Sequence, residues 1–547
     1  MTVAVSPPGA ALLPANGADE PKSFADATLR RTIDEILNRR PAVGLAVGVV
    51  RDGDLAFFAG RGLANIRSKA PMTEDTVFRI ASVTKLFTAI AVMQLSEQGL
   101  VDLDVPANDY LRAYKLVPAK ASFRAATVRH LLTHTAGIPE VVHVSDLLHP
   151  GWGPFGVRPA QRSVRVGDRM PSLAEYYAGG LRVAADPGSA FQYCNHGFAT
   201  LGQIVEDVTG TSLTRYFHER LFKPLGMTNS DLVRSERVVA RLATGYVLGR
   251  DGATLVPDRD WICVAAGGIY STPRDLGRFV AALLGGGANE HGRVLEPATL
   301  ATMFEPHYQP DPRISGRGLG FFRTDVGEHR VVGHDGLLPG FAAELLVAPD
   351  DGVGIFALTN GSPGAHEWLG IELDRLLRQL LRAPDAAVRA DVPEHPEIWA
   401  ELCGRYQLPA GSDLRGRVAM GAGAEVFVRA GHLMVRIFTP IPALFRGLPL
   451  HPDNQDDPYV FRLDLSVFGM ATVRIVFGGE SGDGVTAVHV DLAGQPLTLL
   501  KRRATRRPRA WRNAALGALG LAAAARLARR RVTLEGLDTR ASRRHRR

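Results

Sequence analysis

Cysteine and lysine are both scarce in this chain: of 547 residues three are cysteine, and only seven of the 64 cationic side chains are lysine, the rest being arginine. Cys194, Cys263 and Cys403 are scattered with no CxxC spacing, which excludes a disulfide framework and a zinc ribbon and fits a reducing compartment. No apolar run reaches the ~18 residues that a spanning helix needs. The opening stretch MTVAVSPPGAALLPANGADEPK has neither the basic start nor the unbroken apolar core of a signal peptide, so a cytoplasmic location is expected. Several chemistry-bearing motifs are missing too. There is no G-x-S-x-G elbow and no Walker or Rossmann glycine pattern between a strand and a helix. His130 and His134 have the i,i+4 spacing of a zinc pair, but the HExxH glutamate is absent. Both are read as structural, and neither a metal nor an organic cofactor is expected.

What is present describes an ordinary globular body with a basic tail. Hydrophobic residues make up 46% and charged residues 22%, a soluble globular composition. The length exceeds what one core can hold, so two or three domains are expected. The net charge of +8 is uneven: from Lys501 to Arg547, 16 Lys/Arg face only Glu535 and Asp538, a local +14 that leaves residues 1–500 at −6.

Residues 1–24 are rich in Pro, Ala and Gly and read as disordered. VGLAVGVVRDGDLAFFAGRGLAN reads as two strands joined by an Asp-Gly turn. From Thr84 to about Leu284 the patterns are helix and loop. Strands return as GLGFFRTD, HRVVGHDG, AAELLVAP and VGIFALTN, and a helix follows with Leu369, Leu373, Leu376 and Leu380 on one face. Strands at both ends of one unit imply an α/β (α+β) fold class: an antiparallel sheet built from both ends, flanked by helices, with an inserted helical lobe. Such an arrangement opens a cleft at the lobe junction. The unit is expected over 25–385, a Pro/Ala-rich linker over 386–395, a small all-β barrel or sandwich over 396–502, and the tail over 503–547.

The informative lysine lies in FRIASVTKLFTAIAVMQLSEQG, Phe78 to Gly99. Ser82 and Lys85 form the one S-x-x-K of the chain and share a helix face. Where charge alone is wanted this sequence uses arginine, which cannot give up its proton, whereas a buried lysine can. Serine is a poor nucleophile without a base in reach. A free lysine titrates near 10.4, and lowering that by about three units takes roughly 4 kcal/mol of burial, which is reasonable only for function. At the helix start, free N–H groups and the helix dipole also favour a developing oxyanion.

Two further stretches complete a pattern: Tyr193-Cys194-Asn195 opening a helix, and His334-Asp335-Gly336 on a returning strand. With Ser82-Val83-Thr84-Lys85 they resemble, in order, the three motifs of the serine β-lactamase-like superfamily, and most nearly its class C β-lactamases, DD-peptidases and related carboxylesterases. DVPANDYL, TVRHLLTHTAGI, YFHERLFKPLGMTNS and AAGGIYSTPRDLGRF agree in order. The resemblance implies a β-lactamase/transpeptidase-like fold with Ser82, Lys85 and Tyr193 as the catalytic set: Ser82 is acylated, while Lys85 and Tyr193 move protons. Which of the two holds the proton at rest is left open, since an ammonium favours a neighbouring phenolate and the coupling runs both ways. Asn195 would hold the substrate or the lysine, and the N–H groups of Ser82 and Leu337 would form the oxyanion hole. His334, Asp335 and Gly336 complete the substrate-binding set. Where the lactamases carry lysine this chain has His334, and where a threonine often binds a substrate carboxylate it has Asp335. A carboxylate there repels another. Cys194 is read as a small buried filler.

The resulting expectation is a serine hydrolase, an esterase or amidase acting on neutral or cationic acyl substrates. A β-lactamase or D-alanyl-D-alanine carboxypeptidase, and a non-catalytic binding relative, are the competing readings. In the tail, arginines flank an uncharged run from Asn513 to Ala525, too short to span a bilayer but suited to an interfacial helix. Peripheral contact with an anionic membrane is expected there, and nucleic acid is not an expected partner.

Overall fold

The computed structural model describes residues 24–143, 162–249, 251–385, 387–409, 423–439, 441–466, 472–479, 484–492 and 494–502. The N-terminal stretch expected to be disordered and the tail's apolar run lie outside the described residues. Among those described, no helix is long and apolar enough to cross a membrane.

A helix, α1 (Phe24–Arg39), leads into strands β1 (Gly44–Arg51) and β2 (Asp54–Asn65). Asp52 and Gly53 between them both take positive φ, 52° and 82°, the two-residue hairpin geometry that matches strand twist. A short β3 (Ala70–Pro71) follows, then the long helix α2 (Thr84–Glu97), α3 (Asn195–Thr209) and α4 (Pro273–Leu284). The chain then returns through β4 (Phe322–Val326), β5 (His329–Leu338), β6 (Phe341–Ala348) and β7 (Val353–Thr359) to α5 (Ala365–Leu381). These strands form one seven-stranded antiparallel sheet in the order β4-β5-β6-β7-β1-β2-β3. The seam is β7 against β1, where Val47 pairs with Ala357, so the two ends of the unit meet inside the sheet.

Every residue of β7 is buried, because both faces of the sheet are covered. Ile355 and Ala357 pack with α1 and with Leu369, Leu373 and Leu376 of α5, while Phe356 and Leu358 belong to the larger cluster around α2. Helix α2 is buried all the way from Thr84 to Leu95, as an apolar-all-round helix must be.

Beyond the sheet, eight strands from Gly404–Gln407 to Gln495–Lys501 close an antiparallel barrel around its own apolar core. Closure removes the exposed edges that short alternating strands would otherwise present.

Candidate active site

Ser82 lies in a 3-10 turn, Ala81–Val83, that runs straight into α2. Ala81 just before it has φ +49°, a left-handed conformation that costs a non-glycine residue about 1–3 kcal/mol and is held by its surroundings. That turn aims the serine at the sheet. Gly336 of β5 packs so closely against it that a Cβ there would lie 2.4 Å from the Ile80 oxygen and 3.2 Å from the Ser82 nitrogen. Only glycine fits. The β5–β6 hairpin closes at Leu338 and Phe341, a pair that exchanges hydrogen bonds in a two-residue loop. Alternation along the ladder then turns the N–H of Leu337 away from β6, on a stretch of β5 past Gly333, where the pairing with β4 ends.

Lys85 is completely buried. Its Nζ reaches Ser82 Oγ at 2.9 Å, Asn195 Oδ1 at 2.7 Å and the Ala266 carbonyl at 2.9 Å. Burial pulls its pKa down to about 7, against the opposing pull of Glu140 and Asp335. The three contacts suit both protonation states. The amide and carbonyl oxygens can only accept, whereas a hydroxyl can accept from an ammonium or donate to a free amine. Losing a proton therefore reverses the bond to Ser82 without moving an atom.

The amide of Asn195 is engaged at both ends. Its Nδ2 donates to Glu140 Oε1 at 2.6 Å, and its backbone N–H donates to Glu140 Oε2 at 2.8 Å. Buried Glu140 thus caps the start of α3 and turns Oδ1 toward the lysine. Sequence reading missed Glu140 and Ala266. A lone acid closing the apolar stretch TAGIPE was the available signal for the first, and a backbone carbonyl leaves none.

Tyr193 sets its ring 4.8 Å from Lys85 Nζ and 4.4 Å from the ring of His134. Burial, then Asp335, pushes the phenol well above its ordinary value, with the Ser82 hydroxyl and Arg317 pulling the other way. Tyr193 therefore rests as a neutral phenol and Lys85 is the group that titrates near neutrality. Desolvation outweighs the phenolate-favouring effect expected from a neighbouring ammonium.

His334 is wholly buried behind Tyr193, stacked on Phe322 at 4.1 Å, with Nδ1 against the Asp335 carbonyl at 2.6 Å. Strand alternation sets Asp335 and Leu337 on the opposite face from His334 and Gly336, yet the Asp335 carboxylate comes within 3.6 Å of His334 Nδ1 and stays 27% exposed. His130 closes a capping box with Thr127, and His134 accepts from the Cys194 N–H at 3.1 Å, so each histidine is tied into backbone structure. Among the described residues no cluster of three or more His, Cys, Asp or Glu could hold a metal ion. Burial pushes the Cys194 thiol well up, which makes it inert packing rather than a nucleophile.

Comparison with known proteins fits this geometry. Penicillin-binding protein 4 of Amycolatopsis lactamdurans is 29% identical over 403 residues, 71% of this chain and 99% of that protein. Esterase EstB of Burkholderia gladioli is 33% identical over 213 residues, 38% of this chain and 52% of the esterase. The solved D-amino acid amidase from Ochrobactrum anthropi SV3 superposes with a TM-score of 0.52 at 25% identity, covering 66% of this chain and 99% of the amidase. The family model described as Beta-lactamase matches residues 29–378. With the match running from α1 through Ser82 and the returning strands into α5, well over half of the chain, this protein belongs to the beta-lactamase family.

Proposed function

We propose that this serine hydrolase cleaves neutral or cationic acyl esters or amides through an acyl-enzyme on Ser82. The observation that carries the reading is the fully buried Lys85 amine, 2.9 Å from Ser82 Oγ and fixed by two oxygens that can only accept. In the free-amine form Lys85 takes the Ser82 proton as Oγ attacks the carbonyl carbon. The developing oxyanion is met by the N–H groups of Ser82 and Leu337, each worth about 3 kcal/mol of barrier. Tyr193, a neutral phenol, passes a proton to the leaving oxygen or nitrogen and recovers one from Lys85. Water then cleaves the acyl-enzyme by the reverse relay. Asn195 holds the lysine, and Asp335 disfavours a substrate carboxylate.

Intact-mass analysis after exposure to a fluorophosphonate tests the nucleophile: one adduct on the wild type and none on Ser82→Ala is expected, and labelling of both would overturn it. For the substrate class, a short-chain nitrophenyl ester is expected to turn over faster than a chromogenic penicillin. The likeness to penicillin-binding protein 4 over 71% of this chain favours a second reading, a β-lactamase or DD-peptidase, and faster penicillin turnover would establish it. The arginine-flanked run from Asn513 to Ala525 supports a peripheral role at anionic membranes, each nearby arginine contributing about 1 kcal/mol. Co-sedimentation with phosphatidylserine vesicles should be lost on truncation after residue 502; equal binding by both forms would remove this role.

A further inference from the structure

Arg317 is the most unusual charge in the hydrolase unit. It precedes β4 and has no solvent exposure. Its guanidinium lies between two aromatic rings, 4.1 Å from the centre of Phe322 and 5.3 Å from that of Phe191. One nitrogen, Nη1, donates to the Gly494 carbonyl at 3.3 Å, whereas Nε and Nη2 have no hydrogen-bond partner among the described residues. A buried cation normally sits in an ion pair, and none is formed among the described residues. Burial lowers the Arg317 pKa to about 9, against the pull of Tyr193 and Asp335, so it remains a cation at neutral pH.

Its location explains why leaving it unpaired is useful. Phe322, on which it stacks, stacks in turn on His334, and the His334 ring lies 6.2 Å from that of Tyr193. The titratable groups around the guanidinium are Tyr193, Asp335, His134 and His334, with Lys85 bonded to Ser82 beyond them. An ion pair would cancel its field, whereas two aromatic faces and one carbonyl leave it felt at the phenol in a low-dielectric interior. His334 is kept neutral first by burial, then by Lys85 and Arg317, so its unpaired Nε2 stays available as an acceptor. The Gly494 carbonyl comes from the barrel, in the turn before its last strand. A Cβ on Gly494 would strike Phe322 at 2.9 Å, so this turn sits directly on the stack.

We propose that Arg317 is a positioning residue for the acyl transfer: clamped by Phe191 and Phe322 and anchored by the barrel's Gly494 carbonyl, it orients Tyr193 and His334 from behind the cleft. Its full burial keeps it from touching substrate, so it acts through those two side chains. The inference rests on Ser82, Lys85 and Tyr193 working as proposed above.

The test compares full-length wild type with Arg317→Met, which can fill the same slot between two phenyl rings. The readout is the pH dependence of Ser82 acylation by a nitrophenyl ester. A nearby cation disfavours the protonated, charged form of Lys85, so removing it favours that form. The acid limb of kcat/KM should therefore move to higher pH by about half a unit or more, with kcat at least about tenfold lower and KM within about twofold. Arg317→Gln provides the same loss of charge should the methionine variant fail to fold. A folded neutral variant whose acid limb stays at the wild-type pH would overturn the proposal, since a purely structural residue would lower the rate without moving the limb. A wild-type enzyme that leaves Ser82 unlabelled would instead defeat the functional reading, and this inference with it.

Discussion

The two faces of the seven-stranded sheet are both buried, and they are filled in opposite ways. Toward α1 and α5 the cluster is mainly hydrocarbon, Leu45, Val47 and Ile355 against Ile33, Leu373 and Leu376, with the acid Glu344, its pKa raised by burial, set against Gly370 of α5. Toward α2 and α3 an equally dry interior holds Lys85, Glu140, Asn195, His134, His334 and Arg317. Each apolar side chain buried on the first face contributes roughly 1.5–3 kcal/mol. The second face spends part of such a gain on desolvated polar groups, which is where altered acidity becomes available for chemistry. The comparison sets a mainly apolar side of a single sheet against one that gathers most of the buried polar and charged groups.

The variant expected to act most strongly on rate is Lys85→Met, which should slow Ser82 acylation by about a thousandfold or more. It should also change the protein's stability in a way that depends on pH. The amine titrates at about 7 in the fold against 10.5 ordinarily, so folding disfavours its charged form. That cost is full below about pH 7 and fades as pH rises toward 10.5. It amounts to roughly 5 kcal/mol gross, offset by ~1–3 kcal/mol for each acceptor left unpaired. Urea melts of Lys85→Met should thus show a stability relative to wild type that is higher at pH 6 than at pH 10. A difference from wild type that does not vary with pH would break the account of a strained lysine.

Gly336→Ala comes next. Its methyl must displace either β5 or the turn carrying Ser82, and about a hundredfold loss of kcat/KM is expected through the oxyanion hole, read by steady-state ester hydrolysis. Glu140→Gln should cost about tenfold in rate and move the acid limb to lower pH, because Glu140 raises the Lys85 pKa. That direction is opposite to the one expected for Arg317→Met, so the pair sharpens the electrostatic map of the polar face. Smallest on rate is Leu373→Ala on the apolar face. It should destabilise by about 2–5 kcal/mol in denaturant melts while leaving the rate per labelled Ser82 unchanged, and a matching fall in that rate would dissolve the distinction between the faces.

Much of this was legible in the chain. The Asp52-Gly53 hairpin, the four returning strands and the leucine face of α5 were marked by turn residues and by hydrophobic period, which are local properties. Ser82 and Lys85 could be paired because one helical turn separates them, and Tyr193 and Asn195 because their motif follows in order. The barrel was visible only as short alternating segments. Gly404–Gln407, Leu448–Pro452 and Gln495–Lys501, which complete its closure, carry little alternation of their own.

What the amino-acid order pointed to by itself was a candidate set of reacting groups and the layered fold that carries them, since spacing and periodicity act over a few residues. Which of those groups holds a proton was decided only by the tertiary structure. The Ala266 carbonyl on Lys85, the Glu140 carboxylate on Asn195 and the unpaired Arg317 beside Tyr193 arrive from far along the chain. Desolvation and charge proximity act through space, and no local pattern in the sequence records them.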